Sequence, residues 1–243
     1  MSLHWYTYPD AQQAAEHCGA CILQLLNERL SGESTATLAI SGGTTPRLMF
    51  EYLARQPFDW SSVHIFWVDE RAVPPTDIQS NYRLAFETLI KPAHIPSRNV
   101  HRIQAELRPD EAAARYEQEL RDFFALKPGE MPHFDVIHRG IGPDAHTASL
   151  FPGEPLIEDR EHLVAAVYVE KMQQWRITLL PGVLLNARHT VMLVCGADKA
   201  EAVQHIFEGP NDPLKYPAQA IAHHGRGVTW FFDAAAARFV AAV

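Results

Sequence analysis

An α/β fold is the class the sequence predicts, and three observations predict it. Short apolar, β-branched runs alternate with longer helical stretches along most of the chain. The turns between them carry glycine, proline and small hydroxyl residues. A length of 243 residues allows one large domain with a sizeable core, or two small ones. The proline- and glycine-rich places, among them Pro74-Pro75, Pro128-Gly129 and Gly209-Pro210, are short and sit where ordinary loops sit. No linker divides the chain, so residues 1–243 are expected to form a single domain.

The first helix is expected over 11–30. Ala14, Cys18, Cys21, Ile22, Leu25 and Leu26 follow the 3.6-residue period of one helix face, so the Cys18-x-x-Cys21 pair reads as core packing. With three cysteines in all, no second pair exists to complete a zinc site, and no metal is expected. Residues 37–40 read as a short buried strand, and S-G-G-T-T-P at 41–46 turns the chain into a helix over 47–54. Thr45 is the expected N-cap and Pro46 the first helical residue. Strand, glycine turn and helix start make a cradle for phosphate, because free N–H groups and the positive end of the helix dipole converge there. Glycines required only for the steric needs of a tight turn are the plainer alternative.

A strand over 63–68 ends in Asp69-Glu70-Arg71. These three charges are either a solvated rim or functional groups, with Arg71 forking onto a phosphate or a developing oxyanion and Asp69 holding a hydroxyl or a partner residue. Ser80-Asn81 opens a helix reaching residue 90, a short strand follows at 100–103, and 110–124 is an amphipathic helix that serves as scaffold. A strand at 134–137 then leads into G-I-G-P-D-A-H-T-A-S-L-F-P-G at 140–153. This loop lies just beyond a strand end, where open α/β sheets place their ligands. It presents Asp144 and His146 two positions apart, and an imidazole there titrates in the right range to take a proton from water. In the plainer reading Asp144 caps a short helix and His146 is an ordinary loop histidine, one of thirteen. Strands are expected at 163–169, 175–180 and 191–194. Arg176 stands among apolar neighbours, either snorkelling from its strand or serving the same anion as the glycine turn. Lys199 starts a helix after Cys195-Gly196-Ala197-Asp198, near another strand-to-helix turn.

The formal net charge of −8 leaves no general attraction to nucleic acid or to an anionic membrane surface, though an anionic small molecule can still be held by a few focused basic groups. The first ten residues lack the basic-then-apolar order of a signal peptide, and no stretch approaches the length of a membrane span. A cytoplasmic protein is expected, as a monomer or small homo-oligomer.

Taken together, S-G-G-T-T-P at 41–46, D-E-R-A-V-P at 69–74 with S-N at 80–81, G-P-D-A-H-T-A-S-L-F-P-G at 142–153, R-I-T-L at 176–179 and G-A-D-K-A at 196–200 closely resemble the 6-phosphogluconolactonase family. The order and spacing match from about residue 10 to the closing P-A-Q-A-I and W-F-F-D segments. The resemblance implies a Rossmann-like, mostly parallel sheet flanked by helices, a fold shared with glucosamine-6-phosphate deaminase. It also implies hydrolysis of 6-phospho-D-glucono-1,5-lactone to 6-phospho-D-gluconate in the oxidative pentose phosphate pathway, with no metal or organic cofactor. On the same ground His146 is the base and Asp144 sets its position or tautomer, while Arg71 stabilises charge at the oxyanion or the phosphate. Ser41, Gly42, Gly43, Thr44, Arg176 and Lys199 form the phosphate cradle, and Asp69 is a candidate hydroxyl anchor.

Two positions depart from the pattern of that family. His138-Arg139 interrupts the apolar strand before the loop, and Ala145 stands where a glycine is usual. If residue 145 is left-handed, alanine costs on the order of 1–2 kcal/mol there and displaces His146 slightly. A deaminase-like phosphosugar isomerase is the enzymatic alternative, disfavoured because Thr147-Ala148-Ser149-Leu150-Phe151 offers no carboxylate after the histidine. A sugar-phosphate-binding protein that has lost catalysis is the other.

Overall fold

A computed structural model describes residues 4–240. Ten strands are formed among them: β1 (His4–Tyr8), β2 (Ala36–Ile40), β3 (Val63–Trp67), β4 (Asp69–Arg71), β5 (Val100–His101), β6 (Val136–Arg139), β7 (Val164–Val169), β8 (Gln174–Leu179), β9 (His189–Val194) and β10 (Val228–Asp233). The α-helices are α1 (Ala11–Leu30), α2 (Thr44–Arg55), α3 (Asn81–Ala85), α4 (Pro109–Phe123), α5 (Pro181–Leu184), α6 (Ala200–Glu208) and α7 (Gln219–His224). Seven strands form one sheet in the order β1-β10-β9-β6-β2-β3-β5, and every neighbouring pair in it is parallel. The expected α/β fold with its mostly parallel sheet is therefore present. Three strands form a second, antiparallel sheet in the order β4-β8-β7.

From β2 the chain winds outward through β3 to β5, then returns to the other side of β2 with β6 and winds outward again through β9 to β10. The direction of winding reverses between β2 and β6, so a crevice opens beyond their carboxyl ends. Ser41 follows β2 directly and Gly140 follows β6 directly.

The helices are anchored by local chemistry. Asp10 caps α1, its carboxylate accepting the Gln13 N–H at 2.8 Å. The buried face of α1 includes Ala14, Cys18, Gly19, Ile22 and Leu26, so the cysteine pair serves packing, with Cys18 fully buried and both thiols free. Tyr116 on α4 clamps the end of β3, its hydroxyl donating to the Trp67 carbonyl at 2.8 Å and accepting the Trp67 N–H at 2.9 Å. Buried Asp135 ties β2 to the approach of β6, accepting from the Thr37 N–H and hydroxyl, each at 2.9 Å.

Three expectations are corrected. Helix α2 begins at Thr44, with Gly43 as N-cap and no capping side chain, which leaves Thr45 and Pro46 inside the first turn. Gly43 has φ +128°, open to glycine and not to threonine, and this places the helix boundary. His138 and Arg139 do not interrupt a strand; they belong to β6, whose four residues are all buried. The Phe50 ring packs edge-on against His138 at 6.4 Å, and Arg139 donates to the Leu184 carbonyl at 3.2 Å. Burial drives the His138 pKa down to about 3, so this imidazole is a neutral core group. Finally, Lys199 closes a 3-10 turn (Ala197–Lys199) that precedes α6.

Candidate active site

A cavity of about 250 Å³ lies at the β2/β6 crevice. It is lined by Ser41, Gly42, Gly43 and Thr44 after β2, by Asp69 and Arg71 of β4, by His146, by Arg176 of β8 and by Lys199 after β9. Nine of the ten candidate site residues thus meet around one space; the tenth, Asp144, stands behind His146.

The glycine turn is built for a close approach. A Cβ on Gly42 would sit 1.9 Å from Asn81 Oδ1, so only glycine fits beside that amide. With no side chain capping α2, its first N–H groups face the cavity without an internal competitor for an anion.

The charged strand β4 is no solvated rim. Asp69 is 6% exposed and Glu70 2%. Glu70 accepts the backbone N–H groups of Arg71, Asn81 and Tyr82 and the Ser80 hydroxyl, at 2.7–3.0 Å. Burial nevertheless outweighs these four bonds and raises its pKa. Asp69 Oδ2 accepts the Ser149 hydroxyl at 2.7 Å, and its backbone carbonyl accepts from Asn81 Nδ2 at 2.9 Å. Arg71 and Arg176 are direct cross-strand partners of the β4–β8 pairing. Two like charges opposite each other repel, and neither makes an ion pair among the described residues. Burial, and then the Arg71 charge, lower the pKa of Arg176. The Asp69 and Glu70 charges offset part of this repulsion, and the two guanidiniums facing one cavity can fork onto an anion.

The loop at 140–153 is fixed by backbone hydrogen bonds: Gly142 N–H donates to the His146 carbonyl at 2.9 Å, Ala145 N–H to the Gly142 carbonyl at 3.0 Å, and Ala218 N–H to the Ala145 carbonyl at 3.0 Å. His146 Nδ1 bonds Asp144 Oδ1 at 2.6 Å, which leaves Nε2 for proton transfer. The imidazole stacks on Phe151 with centroids 4.2 Å apart. Partial burial alone would raise the Asp144 pKa, but hydrogen bonds from His146 and Lys171 hold it well below the usual carboxylate range. Ala145 is left-handed, with φ 62°, and fully buried. The alanine therefore carries the conformational cost expected of it, yet the three backbone bonds and the 2.6 Å contact keep His146 on Asp144 and on the cavity wall.

Four contributors escaped the sequence reading. Asn81, Glu70, Ser149 and Lys171 all support the site. Asn81, Glu70 and Ser149 lie within the motifs at 80–81, 69–74 and 142–153, whereas Lys171 carries no local signal. Among the described residues no group of three or more His, Cys, Asp or Glu side chains is arranged to hold a metal ion, and no helix is long and apolar enough to cross a membrane.

Comparison with known proteins agrees along the whole length. The family model described as glucosamine-6-phosphate isomerases/6-phosphogluconolactonase matches residues 9–230. The 6-phosphogluconolactonase of Synechocystis sp. is 36% identical over 225 residues, covering 92% of each chain. That of Haemophilus influenzae is 34% identical over 244 residues, covering 98% of this chain and all of its own. The crystal structure of 6-phosphogluconolactonase from Leishmania guyanensis superposes with a TM-score of 0.87 at 27% identity, covering both chains completely.

Proposed function

The chain belongs to the glucosamine-6-phosphate isomerase/6-phosphogluconolactonase family, and from that premise we propose that it hydrolyses 6-phospho-D-glucono-1,5-lactone to 6-phospho-D-gluconate, the lactonase step of the oxidative pentose phosphate pathway. One observation carries the reading: a histidine oriented by a carboxylate at 2.6 Å faces the same cavity as two arginines paired across neighbouring strands and an uncapped helix start.

A lactone is a reactive ester, so its hydrolysis requires no covalent nucleophile on the protein; a positioned water, a base and charge stabilisation are sufficient. The Gly42–Thr44 turn, Arg176 and Lys199 hold the phosphate, with Arg71 beside Arg176 as a second guanidinium for the same dianion. His146 Nε2 takes a proton as water adds to the C1 carbonyl, and Asp144 stabilises the imidazolium through Nδ1–H. The tetrahedral intermediate then collapses, the bond from C1 to the ring oxygen breaks, and that oxygen takes the proton back from His146 as it becomes a hydroxyl. Asp69, with one oxygen already satisfied by Ser149, anchors a sugar hydroxyl through the other. Residues 147–151 bring no carboxylate to the site, which separates this chemistry from the ring-opening of a deaminase. We place the reaction in the cytoplasm, and treat residues 1–243 as one catalytic unit because its cavity draws on chain from Ser41 to Lys199.

The test is direct. Purified protein is mixed with freshly generated lactone and acid release is followed above the spontaneous rate, with His146→Asn as the comparison. A parent protein no faster than spontaneous hydrolysis would overturn the reading.

A further inference from the structure

Asp144 has two partners, and general-base chemistry accounts for one. Oδ1 takes His146, whereas Oδ2 is held by the ammonium of Lys171, which arrives from the turn Glu170–Met172 between β7 and β8. The same ammonium lies 4.4 Å from the centroid of Phe151, and Phe151 is the ring stacked on His146. Imidazole, carboxylate, ammonium and aromatic ring thus close a circuit in which each member touches the next. The electron-rich ring face attracts the cation and keeps it over the carboxylate. The turn itself is pinned: Gln173, at φ 48°, donates its N–H to the Glu170 carbonyl at 3.0 Å, and the Met172 sulfur accepts from Arg176 at 3.0 Å.

The geometry points to Lys171 as a positioning residue for the hydrolysis: it holds Asp144 from behind, so that the carboxylate keeps His146 in the tautomer with Nε2 available. The kinetic consequence rests on the lactonase reading, whereas the titration consequence does not. A carboxylate alone stabilises imidazolium and delays formation of the neutral base until higher pH; a cation on its second oxygen opposes that field. The other charged groups around the pair are Asp69, Arg71, Arg176 and Lys199 across the cavity, with Glu154 and Glu170 around the groove on the outer side of Asp144. An exposed lysine–aspartate pair contributes little as a rule. Here the carboxylate side chain is only 26% exposed and the lysine is laid over a ring, so the charge is felt locally.

Lys171→Met keeps an apolar stem and removes the charge; Lys171→Arg keeps the charge. The proton resonance of the His146 ring, assigned by its loss in His146→Asn, is titrated in all three proteins. The midpoint should rise by about half a pH unit in Lys171→Met, the modest shift expected for a half-exposed cation, and return to the parent value in Lys171→Arg. In turnover, the acid limb of kcat/KM should move by the same amount and kcat should fall about ten-fold, a misplacement effect. KM for the phosphorylated lactone should stay within about two-fold, because the phosphate cradle is untouched. An unmoved midpoint in Lys171→Met, or Met and Arg variants that behave alike, overturns the assignment. A parent without lactone turnover overturns the lactonase reading instead, and the titration still decides the role of Lys171.

Discussion

Gly142→Ala aims one methyl group at the His146–Asp144 pair. A Cβ at that position lies 2.0 Å from both Nδ1 and Cε1 of His146 and 2.8 Å from Asp144 Oδ1. Ordinary contact begins at 3.4 Å, so the imidazole must withdraw by about 1.4 Å. Phe151 is stacked on one ring face, which leaves rotation away from Asp144 as the escape, and the 2.6 Å hydrogen bond is lost. A misplacement of about 1 Å near reacting atoms costs roughly 10²-fold in rate, and kcat is expected to fall by about that factor or more. KM should change little. Gly142 does not have a positive φ, so its backbone accepts alanine and the stability cost is that of local overpacking, about 1–3 kcal/mol. Acid release from fresh lactone, corrected for spontaneous hydrolysis, measures the rate, and a thermal melt confirms folding. The decisive comparison is the double variant with His146→Ala. Once the ring is gone, Gly142→Ala should cost almost nothing further, because both changes remove the same function. A parent-like kcat in Gly142→Ala, or two losses that multiply in the double variant, would refute the reasoning.

Other outcomes follow from the same geometry. Arg176→Ala and Lys199→Ala should each raise KM for the phosphorylated lactone while leaving turnover of unphosphorylated gluconolactone, a poor substrate, largely unchanged; equal losses on both lactones would assign these residues to the fold or the chemistry. Ala145→Gly relieves a left-handed alanine, about 1–2 kcal/mol, but loses a buried methyl of about 0.8 kcal/mol and frees the unfolded chain by about 0.5–1 kcal/mol, so the melting temperature should stay within a few degrees and kcat at or slightly above the parent. A fall in kcat would show that the methyl, and not the loop backbone, places His146. His138 is neutral in the fold with a pKa near 3, against 6.5 when unfolded. Its contribution is complete above pH 6.5 and is lost as pH falls toward 3, because only the unfolded chain binds the proton in that window. At about 1.4 kcal/mol per pH unit, acidification to pH 5 removes roughly 2 kcal/mol, so His138→Leu should flatten the decline in melting temperature between about pH 7 and pH 5.

Sequence and structure agree best where burial and chemistry follow each other along the chain. The runs ending at Ile40 and Val194 are buried β-strands that read as apolar stretches, and the residues just beyond them, from Ser41 and from Cys195, are turns whose glycines are visible in the sequence. Agreement ends where a strand lacks that contrast. The edge strand β1 alternates poorly because most of its residues are exposed, and β4 is three charged residues whose burial depends on partners 10 to 80 positions away. His138-Arg139 reads as an interruption for a related reason: the two side chains are buried by packing from distant elements, with Phe50 against His138 and the Leu184 carbonyl on Arg139, which leaves no apolar trace in the strand itself.

The candidate site divides along this line. The glycine turn, Asp144, His146 and Lys199 follow strands of the parallel sheet, so they come soon after the apolar runs that announce them, whereas Asp69, Arg71 and Arg176 lie within β4 and β8. The small antiparallel sheet and its turns supply Glu70, with three hydrogen bonds to the start of α3, and Lys171, which holds Asp144; Ser149, which holds Asp69, comes from the loop after β6. Lys171 lies 27 positions from the carboxylate it holds, in a turn whose composition is that of any exposed loop. Only the antiparallel pairing of β7 with β8 brings that turn over Phe151 and Asp144. The parallel sheet therefore places the glycine turn and His146, and the second sheet brings Arg71, Arg176 and Lys171 to them. Substitution at Arg176 of the second sheet should alter binding of the phosphorylated lactone, whereas substitution at Lys171 in its turn should alter the pH dependence of turnover, a difference that no single strand-end motif reveals.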